Sequence, residues 1–138
     1  MNAKGTGATD ARRVLTSAGY GATLRGLDFS HAELSSAAGP SVLWLDRCSF
    51  AGADLRQATL DGWSLKLCDL SGANLRGASL RGTWFSGCDL TGADLRDTDL
   101  TGVEFGRVGV GEGVRETLVD GALVDADVDL SRLQRPIA

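Results

Sequence analysis

Leucine or phenylalanine occupies every fifth position through the middle of the chain. Helices repeat every 3.6 residues and strands every 2, so a period of five places one face of neither element in a core. The chain therefore has to turn a corner once per repeat, and the Gly residues that often follow two positions later tolerate the strained dihedrals of such corners. The series runs without a gap through Leu45, Phe50, Leu55, Leu60, Leu65, Leu70, Leu75, Leu80, Phe85, Leu90, Leu95, Leu100 and Phe105.

The period extends in both directions with slips in register. Upstream, Phe29 and Leu34 keep the spacing and complete a predicted core of fifteen residues, and Leu24 continues it further. A one-residue slip near 39–42 realigns the pattern to Leu45. Downstream, the Gly-rich stretch at 111–115 interrupts the period, which the sequence then resumes at Leu118, Leu123, Val128 and Leu133. We predict that both slips are loops on one continuous stack over residues 22–135.

The repeat units resemble a known family. "ADLRQ", "ANLRG", "CDLTG" and "ADLRD" match the A(D/N)LXX motif of the pentapeptide-repeat proteins, and the likeness covers roughly residues 22 to 135. In that family each pentapeptide is one side of a square coil and four make a turn. The resemblance implies an all-β fold, a right-handed quadrilateral β-helix whose coils stack at about 4.8 Å.

Four repeats per coil predict correlations at twenty residues, and the sequence has them. Cys48, Cys68 and Cys88 are spaced by twenty, and so are Arg56, Arg76 and Arg96. From Ala22 to Arg135 this spacing predicts about five and a half coils. Trp44 and Trp84 are two coils apart on one side of the square, with Ser64 between them.

The ends of such a stack need covering, because an open coil exposes a core and unpaired strand edges. In the N-terminal segment 1–21 we predict a short capping helix, with Asp10 as N-cap, Val14 and Leu15 as its apolar face and Gly19 as its stop signal. Residues 136–138 are predicted to be a C-terminal tail.

Composition and charge narrow the classes of function. The 138 residues suffice for one globular domain, and 43% hydrophobic with 23% charged residues is ordinary for one. The net charge of -4 lacks the basic footprint of a nucleic-acid binder, so no direct nucleic-acid partner is expected. No stretch approaches the ~20 apolar residues of a membrane span, and no membrane partner is expected. Three cysteines without a CxxC pair favour a reducing, cytoplasmic location.

The sequence predicts no catalytic, cofactor or metal site. Cys48, Cys68 and Cys88 take the inward small-residue position that Ala holds in other repeats, where Cys acts as a small apolar side chain. The only histidine, His31, falls on the outer surface of the first coil, so the thiols have no fourth zinc ligand. We therefore expect the protein not to be an enzyme.

The strongest candidates for a partner contact are two outward tryptophans. Trp44 and Trp84 lie on the first side of the coil, with Lys66 and Leu67 in the intervening coil, and exposed aromatics flanked by charge are typical of interface anchors. Trp63 breaks the pattern, because it occupies an inward small-residue position. Either it turns outward through a local distortion or the core widens to hold it.

Charge is distributed unevenly along the chain. Residues 89–129 contain eleven acidic and three basic side chains, a net charge of -8, against +4 for the remainder. An acidic end can steer a basic partner. The arginine column of Arg56, Arg76 and Arg96 points outward beside Asp54, Asn74 and Asp94, and this arrangement predicts a solvated face of mixed charge. The acidic candidates for partner binding are Asp94, Asp97, Asp99, Glu112, Glu116, Asp120, Asp125, Asp127 and Asp129.

Two hypotheses for function follow. The first is a non-enzymatic interaction or scaffold module that presents a rigid rod to a protein partner. The alternative comes from the resemblance, because some pentapeptide-repeat proteins imitate duplex DNA and bind type II topoisomerases such as gyrase, inhibiting them or protecting them from quinolones or toxins. The acidic half favours the alternative, while the modest net charge and the arginine column weaken it. Either a monomer or a homodimer is compatible with the sequence, and an end-to-end dimer favours the alternative.

Overall fold

A computed structural model describes residues 8–133 of the chain. The first seven residues and the predicted tail at 136–138, with residues 134–135 before it, lie outside this described part. The elements are α1 (Ala8–Thr16), β1 (Ala22–Arg25), β2 (Leu43–Asp46), β3 (Trp63–Lys66), β4 (Trp84–Ser86), β5 (Glu104–Val110), β6 (Gly113–Glu116) and a short 3-10 helix (Leu130–Leu133).

The strands form one sheet in which spatial order equals chain order, from β1 to β6. β1 to β5 pair in parallel, and β5 pairs antiparallel with β6. Parallel neighbours one coil apart are what a chain that winds in stacked turns produces. This sheet is the first side of the solenoid.

The other three sides are ladders of single bridges. Ser49, Asp69 and Asp89 pair in succession on the second side. Asp54, Asn74 and Asp94 do so on the third side, and Thr59, Ser79 and Asp99 on the fourth. Four sides per turn confirm the predicted four-sided β-helix.

The number of coils is smaller than predicted. Complete turns occupy 22–42, 43–62, 63–82 and 83–102, and the fifth turn is interrupted. The prediction of about five and a half coils was too high, because it divided the whole span from Ala22 to Arg135 by twenty and so included residues 107–116 and the residues after 125. The first group forms the β5–β6 hairpin, and Leu130–Leu133 forms a 3-10 helix.

The inward positions are those that the five-residue period selects. Of the fifteen predicted core residues, all are buried except Leu100, which is partly buried and packs against the core. Between the coils, backbone groups bond along the stack: the amide of Leu70 donates to the carbonyl of Asp89 at 2.7 Å, and the amide of Asp89 to the carbonyl of Cys68 at 3.0 Å. Each coil thus satisfies polar groups of the next, as buried backbone requires.

Helix α1 covers the first coil. Ala11 and Leu15 are buried against the core, with Val14 partly buried beside them. Arg12 fastens the helix to the solenoid, because its guanidinium donates to the carbonyls of Ser35 and Glu33 at 2.9 and 3.1 Å. The helix begins at Ala8, so the prediction of Asp10 as N-cap was wrong: Asp10 lies inside the first turn.

The structure resolves the orientation of Trp63, which is buried in the core. Its Nε1 donates to the carbonyl of Pro40 at 2.9 Å, and its ring lies against Gly39, where a built Cβ would meet Cζ2 at 2.8 Å. The first turn is one residue longer than the next ones, and the extra residue lies between Ala38 and Leu43. The slip and the misplaced indole are therefore one feature, in which a widened corner accommodates a large side chain.

The register after the hairpin differs from the prediction. Leu118 and Leu123 pair with the outward Asp89 and Asp94, and both side chains are exposed. Their neighbours Val119 and Val124 pack against the core instead. Leu133 also packs against the core, from the 3-10 helix rather than from a coil. Because Leu and Val stand side by side twice, the sequence offers two apolar registers, and the hairpin selects the one that the five-residue count does not.

Candidate interaction surface

Trp44 and Trp84 lie on the outer face of the parallel sheet, in β2 and β4. Ser64 of β3 separates them, and in the register of the strands Thr23, Trp44, Ser64, Trp84 and Glu104 form one column. Successive strand side chains point to opposite faces. The inward neighbours of Trp44 are buried, and the two indoles are left 51% and 39% exposed.

A groove of about 440 Å³ runs between the two indoles. We call it the tryptophan groove and define it by Trp44, Ser64 and Trp84 together with the cationic side chains of Arg25, Lys66 and Arg107, which also line it. Arg25 lies at the end of β1, in the same row as Asp46 and Lys66. Arg107 is brought to the groove by β5, which continues past the length of the other strands into the hairpin.

The positive charges of the groove are only partly neutralised. Asp46, the acidic lining residue, is 3.7 Å from Arg25 and 2.9 Å from Arg47. Lys66 and Arg107 take part in no ion pair within residues 8–133. The lining thus carries three cations and one anion, a local positive excess in a chain whose net charge is -4.

Leu67 does not share the groove with Lys66. It occupies the corner after β3 with a φ of +55° and lines a different cavity of about 600 Å³, next to Val114 and Leu118. A Cβ atom added at Gly87 would lie 3.0 Å from the Cδ2 of Leu67. The corner turns its side chain toward the hairpin, so Leu67 lies in the intervening coil but outside the tryptophan groove, and its contact with a partner stays a prediction.

Three of the acidic candidates are paired with arginines of the same chain. Asp94 binds Arg96 at 2.7 Å, and the hydrogen bond from that guanidinium lowers the pKa of the Asp94 carboxyl. Asp97 binds Arg76 at 3.2 Å. Asp99 binds Arg81 at 3.4 Å, and its pKa is lowered first by the Thr101 hydroxyl. The predicted face of mixed charge is present, built from contacts within and between coils.

The other acidic candidates lie at the C-terminal end of the described chain. Glu112 and Glu116 are exposed on the hairpin, and Asp120 and Asp127 are exposed after it. The carboxylate of Asp125 accepts from the amide of Asp97 at 3.1 Å, which ties the incomplete coil to the one before it. That of Asp129 accepts from Ser131 at 2.6 Å, and hydrogen bonds from Ser131 lower the pKa of Asp129.

The cysteine column is buried. Each thiol of Cys48, Cys68 and Cys88 donates to a backbone carbonyl of the preceding coil, and the closest is Cys88 to Leu65 at 3.2 Å. The pKa of Cys48 is raised by its hydrogen bond with Cys68 and by burial. That of Cys68 is lowered by Cys48 but raised by Cys88 and by burial, to about 12 overall. The Cys48 and Cys68 thiols therefore stay protonated at neutral pH, unlike a reactive cysteine.

Within residues 8–133, no group of His, Cys, Asp and Glu side chains is arranged to hold a metal ion. His31 is exposed in the first coil, as the sequence predicts. No helix among these residues has the length and apolar character needed to cross a bilayer.

Several groove residues, among them Arg25, Arg107 and Val108, were not among the candidates predicted from the sequence. The signal for Arg25 was present, because it stands one position after the inward Leu24, just as Lys66 follows Leu65. No comparable signal exists for Arg107 and Val108. The five-residue count places Arg107 at the corner that ends the first side and Val108 on the second side, whereas β5 continues through both.

The geometry defines the class of the protein as a four-sided β-solenoid of five-residue repeats, and comparison with known proteins agrees. The family model described as pentapeptide repeats matches residues 48–87 and 68–107, in eight copies. Residues 48–107 are therefore pentapeptide repeats. No protein of curated function matches it in sequence.

Solved structures include similar solenoids. A pentapeptide repeat protein from the thylakoid lumen of Arabidopsis thaliana is 25% identical over 88% of this chain and 80% of its own, with a TM-score of 0.59. Rfr23 from the cyanobacterium Cyanothece 51142 is 24% identical over 78% of this chain, with a TM-score of 0.46, and the match covers 60% of Rfr23. A trypsin-treated variant of QnrB1, a plasmid-mediated fluoroquinolone resistance protein, is 31% identical over 56% of this chain and 38% of its own, with a TM-score of 0.41.

Proposed function

We propose that the protein is a non-enzymatic interaction module whose principal contact surface is the tryptophan groove. The observation that carries the proposal is the pair of exposed indoles on a sheet backed by a fully packed core. Tryptophan is the side chain most enriched among interface residues that dominate binding energy, and contiguous exposed apolar surface marks interaction sites. A rigid sheet presents such anchors with little ordering of the backbone on binding, which lowers the entropic cost.

The chemistry of the groove supports binding rather than catalysis. The acidic lining residue, Asp46, is paired with Arg25 and Arg47. Ser64 lines the groove between the two tryptophans. General acid–base or nucleophilic catalysis needs a group with a tuned pKa beside a second reacting group.

We place the protein in the cytoplasm, a proposal supported by three buried free thiols.

Affinity capture from the source cells tests the proposal. The bait proteins are the unmodified chain, a Trp44→Ala/Trp84→Ala variant and a Leu118→Ala/Leu123→Ala control, which removes exposed apolar side chains of similar accessibility elsewhere. We expect a partner that the unmodified chain and the control retain and the tryptophan variant loses. A set of captured proteins that is identical for all three baits would contradict the assignment of the groove.

Binding to a type II topoisomerase is the second candidate function. The observation that favours it is the excess of acidic residues over residues 89–129, of which Asp120 and Asp127 are exposed. The arginine pairs of Asp94, Asp97 and Asp99 weigh against it, because a DNA mimic needs carboxylates whose charge is not cancelled locally.

Supercoiling by purified gyrase, with and without a quinolone, tests this candidate. Inhibition or protection by the unmodified protein that a variant with Asn at positions 120, 125, 127 and 129 loses would establish it. No effect at micromolar protein would remove the topoisomerase and leave the interaction module with another partner.

A further inference from the structure

The tryptophan groove combines two aromatic walls with two cations, Lys66 and Arg107, that take part in no ion pair among residues 8–133, and this combination specifies an occupant. We infer that the groove binds an acidic peptide segment whose single aromatic side chain lies between Trp44 and Trp84, above Ser64. The inference deepens the proposed interaction function and rests on it, because it names the chemistry of the partner.

The first argument is the width of the slot. Trp44 and Trp84 are two strands apart, which places their Cα atoms about 9.6 Å from each other at the usual spacing of strands. Ser64 between them is small, so the space above it is not filled from below. Aromatic rings pack favourably with centroids 4.5–7 Å apart, so a gap of about this width admits one flat ring between two others.

The second argument is charge. Lys66 and Arg107 have no ion-pair partner among the described residues, and Arg25 shares Asp46 with Arg47. The excess is local, since the whole chain carries a net charge of -4. The side chains of Arg25, Lys66 and Arg107 form a cationic rim that attracts carboxylates to the groove. The acidic C-terminal part of the chain repels them.

The third argument sets the direction of the peptide. Glu104 follows Trp84 in the outward column, and Glu116 is opposite Arg107 across the hairpin. Both carboxylates border the C-terminal end of the groove, while Lys66 lies beside Ser64 in β3 and Arg25 lies at the other end, in β1. The acidic residues of the peptide therefore run from the aromatic slot toward β1.

Aromatic side chains interleaved with cations also characterise surfaces that bind single-stranded nucleic acid. Such a strand carries a phosphate at every step and needs a continuous basic track. Here Asp46, Glu104 and Glu116 interrupt the track in and beside the groove. A peptide can place carboxylates only where the cations are, so the distribution of charge favours the peptide.

Tryptophan fluorescence provides the test, because Trp63 is buried and held by Pro40 and supplies a constant background to the two exposed indoles. The probe is a short synthetic peptide of Glu and Ser with one central Phe. Matched probes replace every Glu by Lys, or the Phe by Ala, and oligothymidylate is the nucleic-acid probe. We expect the acidic Phe peptide to change the emission of the exposed indoles saturably, and each matched peptide to bind at least tenfold more weakly.

Variants of the rim sharpen the test by calorimetry, which does not depend on the indoles. Lys66→Glu should weaken the acidic peptide at least tenfold, and added salt should weaken binding to the unmodified protein. Arg132→Glu makes the same change of net charge on an exposed side chain outside the groove and should leave the affinity unchanged. Equal loss in both variants would overturn the proposed role of the rim.

The outcomes separate this inference from the proposed function. Tighter binding of the Lys peptide, or of oligothymidylate, would overturn the acidic peptide as occupant. If no probe binds while a captured partner still depends on Trp44 and Trp84, the inferred chemistry is wrong and the interaction function stands. If capture is also independent of the tryptophans, both fall.

Discussion

The four complete coils and the interrupted fifth one are built from similar residues, yet they differ in packing. In the complete coils, inward side chains such as Leu70 and Leu75 are fully buried. In the fifth, Leu118 and Leu123 are 46% and 48% exposed, and the inward places pass to the smaller Val119 and Val124. Whether a leucine is buried therefore depends on its register and not on its identity alone. The register is set from one coil to the next by backbone pairing.

Leu70→Ala should have the largest effect on this comparison. It removes a fully buried side chain from a close-packed stack and leaves a cavity, which typically costs about 3–4 kcal/mol of unfolding free energy. The same truncation at Leu118 should cost less than about 1 kcal/mol, because that side chain is half in solvent. Urea denaturation measures both. Equal costs would mean that the fifth coil is packed as tightly as the others.

The corners provide the next test. Gly62→Ala should lower the unfolding free energy by about 3 kcal/mol, because the φ of +73° is strained for alanine and the new Cβ would overlap the carbonyl oxygen of Ser41. Gly72→Ala has a similar φ of +65° but open space around the new atom, so only the strain of about 1–2 kcal/mol remains. If thermal melting shows the two variants to be equally stable, the close approach of Ser41 to Gly62 does not limit the size of the residue at that corner.

The junction between the hairpin and the fifth coil depends on one hydroxyl. The Oγ1 of Thr117 accepts from the amide of Cys88 at 3.2 Å and lies 2.8 Å from the carbonyl oxygen of Phe85. Thr117→Val leaves the buried amide without this acceptor and should cost about 1–3 kcal/mol. Thr117→Ser keeps the hydroxyl and should cost less. Hydrogen exchange of the Cys88 amide checks the cause, and unchanged protection in the Val variant would exclude it.

The smallest expected effect is electrostatic. The pKa of Asp94 is lowered by Arg96 in the folded protein, so this pair contributes stability above the ordinary carboxyl pKa near 3.8, and the contribution is lost as pH falls through the lowered folded value. Asp94→Asn should therefore reduce stability at pH 7 by less than about 1 kcal/mol, as is usual for exposed pairs. As pH falls below 3.8 and through the lowered folded pKa, the variant and the unmodified protein should converge. A constant difference across that range would indicate that packing, not charge, is responsible.

The sequence predicted the part of the fold that repeats. A period of five and correlations at twenty residues specify the sides, the inward residues and the cysteine column, because each coil imposes the same environment on its neighbour. What it could not predict follows from local competition. Leu118 and Val119 are both apolar, so composition cannot choose the register. The fate of Trp63 depends on Gly39, which lies 24 positions away along the chain but against its ring in space.

The candidate site was predictable to a smaller extent. Trp44, Trp84 and Lys66 follow from the outward register, but predicting a groove also requires the residues that lie beside them. Arg107 reaches the groove only because β5 does not turn where the count predicts a corner. This departure from the period depends on the pairing of β5 with β6. The Gly-rich stretch predicts a loop there, but it does not predict which strands flank the loop or how they pair.

Coil stacking also makes the width of a surface site a quantity that changes in whole steps. Inserting or deleting twenty residues adds or removes one complete turn and moves Trp44 and Trp84 apart or together by about 4.8 Å, without disturbing either indole. Sites on this scaffold can therefore be resized by duplication or loss of a gene segment of fixed length. Evolution would adjust the spacing of two anchors here by counting turns, whereas in most folds it must repack the residues that support them.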